Sequence, residues 1–172
     1  MSSAPGPGLA GRVVRGVVAG AVGTLAMDLV WWGRYRRGGG EDGFVDWDLA
    51  TSTAGFDEAS APGQVGRRVA GAVGVELPDE AAATTTNVVH WATGAQWGAL
   101  YGLVAGRGGR PSPALGLVLG STAWGSAYAL LGAAGIYEPI WTYDRETLAK
   151  DLSAHLVFGL ATAATYRLLD RS

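Results

Sequence analysis

The 172-residue chain has no cysteine, a single lysine and only three phenylalanines, and charged residues make up just 16% of it. Without cysteine there is no disulfide-stapled module and no thiolate metal site. Soluble domains carry about 25% charge, so the low value here points away from an ordinary water-facing surface. The net charge of −2 leaves no basic field to bind nucleic acid. What is plentiful is apolar and small. Hydrophobic residues reach 48%, with 28 glycines and 7 tryptophans, in runs too long and too apolar for a disordered tail.

Four apolar runs approach the length needed to cross a hydrocarbon core of about 30 Å. They cover residues 13–32, 85–106, 114–136 and 152–169, with a polar loop over 33–84, so the whole chain reads as one membrane domain over 1–172. The first run ends in Trp31 and Trp32, followed by Arg34, Arg36 and Arg37, an aromatic anchor and a charged collar. It continues past any small-residue cleavage site, so it reads as a retained span and not a signal peptide. The third run lies between Pro113 and Pro139 and is free of charge. The fourth requires Arg167 to reach outward to the headgroups. A soluble bundle would keep a polar stripe on each helix; the second and third runs read as apolar all round. The expectation is an all-α integral membrane four-helix bundle in contact with the lipid bilayer.

The loop begins with the acidic residues Asp42, Asp46, Asp48, Asp57 and Glu58 and is expected to be irregular there. Pro62 to Val75 then reads as a short amphipathic helix, with Val65, Val69, Ala72 and Val73 opposite Arg67 and Arg68. Such a helix either lies on the headgroups or packs over the mouth of the bundle. An even number of spans puts both termini on one side. There Arg12, Arg15, Arg107, Arg110, Arg167 and Arg171 outnumber Asp170, while the opposite loops are acidic. This balance favours cytoplasmic termini in a bacterial inner membrane, with the Arg34, Arg36, Arg37 cluster pulling the other way.

Gly94, Gly98, Gly102 and Gly106 recur every fourth residue, a glycine zipper along one ridge of the second run. Gly16 and Gly20 repeat the device on the first run, and Gly116 and Gly120 on the third. Small residues let helix backbones meet where lipid removes the hydrophobic drive, either within the chain or in a homo-oligomer or another membrane partner. The halves also match. His90, Gly94 and Tyr101 share their spacing with His155, Gly159 and Tyr166, as Gly16 and Gly20 do with Gly116 and Gly120. This pattern reads as a duplicated two-helix hairpin, a parallel repeat.

Ionisable groups inside the runs are Asp28, His90 and His155, with Tyr128 at the repeat position of Asp28. All belong to the same end as the acidic loops. A carboxylate in lipid needs a partner, and an imidazole can share its proton. One reading makes Asp28 snorkel to the interface while each histidine makes a single structural hydrogen bond. A second makes Asp28 and the histidines a proton or ion relay. A third makes His90 and His155 bis-imidazole haem ligands. The segment Glu138 to Asp144 is either a lid near the histidines or part of an aromatic belt. No phosphate loop, nucleophile elbow or His-Glu-x-x-His helix occurs, so no catalytic residue, cofactor or metal is expected. The leading expectation is a non-enzymatic packing, accessory or interaction protein, with an ion-linked transporter and a haem redox protein as alternatives.

In layout, with Gly16, Gly20, Pro62, His90 and Gly94 carrying the likeness, the chain resembles the small YagU-like family of bacterial inner-membrane proteins. The resemblance implies architecture and lends no site.

Overall fold

The computed structural model describes residues 8–106 and 111–171. Arg107 and Arg110, which enter the charge balance above, lie outside the described residues. Those described form six α-helices and no strand: α1 (Leu9–Arg37), α2 (Phe44–Asp48), α3 (Ala61–Ala72), α4 (Ala82–Ala105), α5 (Pro113–Ala133) and α6 (Arg145–Leu169). Two 3-10 turns, Asp79–Ala81 and Ile140–Thr142, precede α4 and α6.

Local chemistry sets the helix ends. Ser112 accepts the Leu115 N–H at 3.2 Å and Pro113 opens α5. The same helix stops three residues short of the expected Ile136. Gly135 takes φ 64°, and the Ile136 N–H turns back to the Leu131 carbonyl at 2.8 Å. In contrast, α6 starts seven residues before the expected Leu152. Asp144 caps it through the Thr147 N–H at 2.8 Å, and a Glu146–Lys150 ion pair at 2.6 Å supports its first turns. Helix α1 runs on to Arg37, past the expected Trp32, with three arginines in the last turn where the helix dipole favours cations.

Three helices, α1, α5 and α6, are long and apolar enough to cross a membrane, which makes this a membrane-associated helical protein. Helix α4, expected as a span over 85–106, is long enough but is not among them. Asn87, His90, Gln96 and its threonines dilute its apolar character.

The long helices run alternately up and down, and α1 is central. On one side it packs against α4, on the other against α6, which in turn packs against α5; α4 and α5 touch little. The α1–α4 contact is backbone on backbone. A Cβ at Gly98 would overlap the Gly16 carbonyl and the Gly20 backbone, and one at Gly20 would overlap the Gly94 carbonyl. Gly102 lies against the Arg12 carbonyl and Gly106 against the Arg12 side chain. The α5–α6 contact uses the same device, with Gly116 against Gly159 and Ala163, and Gly120 against the His155 carbonyl. Tyr101 and Tyr166, the matched tyrosines, meet edge to face at 5.6 Å in the core. Arg15–Asp170 at 3.1 Å pins α1 to α6 at one end. At the other, Arg34 donates to the Lys150 carbonyl and to Ser153 Oγ, both at 2.7 Å.

The polar loop is more ordered than the sequence suggests. Trp32 meets Phe44 edge-on at 5.8 Å and Tyr35 lies 6.1 Å from Trp47, holding α2 against the end of α1. Helix α3 packs on α4, with Gly63 and Gly66 against Thr86 and Thr85. Its Arg68 donates to the Ala134 carbonyl at the C-terminus of α5. Thus α3 bridges α4 and α5 over the bundle mouth, while Val69 and Val73 stay exposed.

Leucine at Gly98 is expected to force α1 and α4 apart, and overpacking of this kind costs about 1–3 kcal/mol. Thermal melting in detergent should fall clearly for Gly98→Leu and little for Gly125→Ala, since nothing lies within 4 Å of a Cβ at Gly125.

Candidate functional site: an acidic cavity between four helices

Because α1 lies between α4 and α6 while α4 and α5 stay apart, a cavity of about 720 Å³ opens at the loop end of the bundle. All four long helices line it, and α3 and the segment after α2 close over part of it. Asp28, His90 and His155 all reach this cavity. The snorkelling reading of Asp28 is overturned, because the residue is 4% exposed and turned inward. An interior carboxylate must find donors. Asp28 finds one in His90, whose Nε2 lies 2.9 and 3.1 Å from its two oxygens. Those oxygens accept, so they fix a proton on Nε2.

His155 does not join that pair. Its Nδ1 donates to the Asp151 carbonyl at 3.0 Å and lies 3.2 Å from Asp151 Oδ1, one turn earlier on α6. This leaves Nε2 as the nitrogen able to take up a further proton. Tyr128 lies beside the Asp151 carboxylate and packs against Tyr137 and Tyr143 at 5.3 and 5.4 Å. Two carboxylate–imidazole pairs therefore face one cavity, Asp28–His90 from the first hairpin and Asp151–His155 from the second.

The difference between the hairpins is one of register. Gly16 meets Gly98 in the first, whereas the matching Gly116 meets Gly159, one turn nearer the start of its partner helix than the equivalent of Gly98. A turn is about 5.4 Å of helix. With that slip Asp28 faces His90, while Tyr128 faces Asp151, four residues before His155.

Asp48 completes the site from the loop. The aromatic clamp on α2 carries it into the cavity, within hydrogen-bonding reach of Asp28. Burial, then the negative charge of Asp28, push its carboxyl above the usual aspartate range, partly offset by His90. Asp48 thus adds a second carboxyl group beside the Asp28–His90 pair, able to donate to Asp28 when it holds a proton and to add negative charge to the cavity when it does not. Nearby, burial and the charge of Asp151 push the Tyr137 phenol up to about 12, so it remains a neutral donor.

Asp48, Asp151 and Tyr137 are site residues that the sequence reading does not single out. The four-residue spacing of Asp151 and His155 on one helix face is a signal that could have found that pair. Nothing local marks Asp48. The Glu138–Asp144 segment divides between its two readings: Tyr143 packs over Tyr128, as a lid would, while Trp141 is 82% exposed, as a belt residue would be. Among the described residues, no group of three or more His, Asp or Glu side chains is arranged to hold a metal ion. The Nε2 of His90 is turned to Asp28, and that of His155 is left without such a partner.

Fold and site together define a membrane-associated helical protein with an acid–imidazole cavity. No family model, curated protein or solved structure matches the chain.

Because the folded state raises the Asp48 pKa, stability is full below the unfolded carboxyl value and falls as pH rises through the folded one. Asp48→Asn removes that loss. Melting in detergent should show the variant more stable than the parent at neutral pH and equal to it well below the ordinary aspartate range. A parent whose stability rises steadily with pH through this window would contradict the assignment.

Proposed function

We propose that this chain is a multi-pass integral membrane protein whose acid–imidazole cavity binds and exchanges protons or other cations across a bilayer. The observation that carries the reading is the convergence of Asp28–His90 and Asp151–His155 on one cavity. Ionisable groups are costly inside a membrane and are kept where they face a pathway or one another. A purely structural role asks for one satisfied hydrogen bond per histidine. It does not ask for two carboxylate pairs and a loop carboxyl gathered around open space.

Support for the bilayer comes from the outward faces. At most 33% of each apolar stretch in α1, α5 and α6 is buried within the molecule. Val14, Val18 and Leu29 on α1 and Val118 and Leu130 on α5 are exposed, and such a surface is stable against lipid tails. In this reading α4 is the fourth span. Its polar residues are tolerated because Asn87, His90 and Gln96 line the cavity. Both termini lie on one side, taken as the cytoplasmic side of a bacterial inner membrane from the arginine balance. That arrangement agrees with the layout of the YagU-like proteins.

The glycine ridges serve packing within the chain, so it is the oligomeric part of the packing and accessory reading that loses its argument. Gly16, Gly20, Gly94, Gly98, Gly102, Gly106, Gly116 and Gly120 all meet neighbours inside the chain, which leaves none of these ridges on the surface for oligomerisation.

Two measurements test the proposal. The protein should stay with membranes through an alkaline carbonate wash and leave only with detergent; release by the wash would refute the integral reading. Proteoliposomes holding a pH-sensitive dye should acidify under an imposed potential faster than protein-free vesicles. Asp28→Asn should slow this by about tenfold or more, as expected when a charged, buried hydrogen bond worth about 1.5–3 kcal/mol is lost. Flux equal to empty vesicles, or unchanged by Asp28→Asn, would overturn the mechanism.

A further inference from the structure

The cavity is larger than a proton or a metal ion requires. Pockets for small organic ligands occupy about 300–1,000 Å³, and this one measures about 720 Å³. Its charge has one sign. Asp28, Asp48, Glu58 and Asp151 contribute carboxylates, and no lysine or arginine is among the described residues that line it. Its walls include Trp31, Trp47 and Trp97, rings that attract cations through their faces. One face of Trp31 already carries the Arg34 guanidinium, 4.8 Å from the ring centre, outside the cavity lining.

Two polar atoms on α4 are left without a partner. Thr86 is 8% exposed, and its hydroxyl has no hydrogen-bond partner. Asn87 uses its Nδ2 on the Leu49 and Ala83 carbonyls, while its buried Oδ1 has none. Buried polar atoms are rarely left unsatisfied without a reason. Both residues lie on α4, close to one turn from His90, and line the acidic cavity, the Thr86 hydroxyl being turned to Gly63 of α3. A bare monovalent metal ion would leave most of the space and the aromatic wall unused. An ammonium group carries the N–H donors that the Asn87 Oδ1 lacks. On the side where α4 and α5 touch little, the rim is apolar, with Leu130 lining the cavity and 69% exposed. An apolar body fits there, with its charged end inward.

We infer that the cavity binds a protonated organic amine with an apolar or aromatic body. The ammonium sits among Asp28, Asp48 and Asp151 near Asn87, and the body rests against the tryptophans toward the α4–α5 opening. This deepens the cation-handling reading and rests on it.

The test is calorimetric titration of the full-length protein in detergent, corrected for titration of the detergent alone. The probes are 1-naphthylmethylammonium, the neutral 1-naphthylmethanol and the anion 1-naphthoate, which share one ring system and differ in charge. The amine should bind saturably at one site per chain, with the alcohol and the carboxylate weaker by about tenfold or more. Asp28→Asn should weaken the amine by a similar factor. Should Asp28→Asn fail to fold, Asp48→Asn on the loop reads the same charge without touching a long helix. Equal binding of all three probes, or an amine affinity that neither substitution changes, would overturn the inference. Vesicles that move protons while the protein ignores the amine would refute the amine alone and leave the proton reading standing.

Discussion

The site depends on how closely two backbones can lie. With Gly16 and Gly20 facing Gly94 and Gly98, α1 and α4 meet without side chains between them. Beyond this contact, Thr24 sits against Gly94, and one turn further along α1 Asp28 comes level with His90. An alanine-sized gap would separate carboxylate and imidazole beyond hydrogen-bonding distance. It would leave a charge in the interior with no partner, at a cost of several kcal/mol. Packing and chemistry are therefore one constraint. The absence of bulk at four positions sets the geometry of a pair that tolerates no added separation.

That constraint is used twice with different results. In each hairpin a glycine-bearing helix packs against a helix that carries a histidine in its first half. In each, the histidine is held by an aspartate. In the first the aspartate comes from across the interface, as Asp28. In the second it comes from the histidine's own helix, as Asp151, with Tyr128 at the position matched to Asp28. A one-turn slip between the hairpins accounts for the exchange, since it brings Tyr128 opposite Asp151. The pairs are also unequal in surroundings. Asp48 reaches only the first, and the Tyr128, Tyr137, Tyr143 cluster covers only the second.

Much of this architecture is legible in the residues themselves. Apolar runs of sufficient length mark the four long helices, glycine spacing marks which faces meet, and the rarity of charge within the runs singles out Asp28, His90 and His155. The reading fails where hydropathy is silent on context. Helix α4 reads as a fully apolar span because its polar residues are few. Their importance lies in sharing one face, toward the cavity. The acidic loop reads as irregular because five carboxylates mask the aromatic clamp of Trp32, Tyr35, Phe44 and Trp47. Asp48 is an ordinary loop aspartate until that clamp carries it to Asp28.

The amino-acid order alone determined the helices, their caps and the ridges along which they approach, because propensity, periodicity and side-chain volume act over a few neighbouring residues. It also determined that any polar group inside those helices would need a partner. Only the tertiary arrangement decided which partner. Pairing Asp28 with His90 and leaving His155 to Asp151 depends on the register between helices, and so does opening a cavity between α4 and α5. Register is set by contacts summed over whole interfaces between residues far apart in the chain.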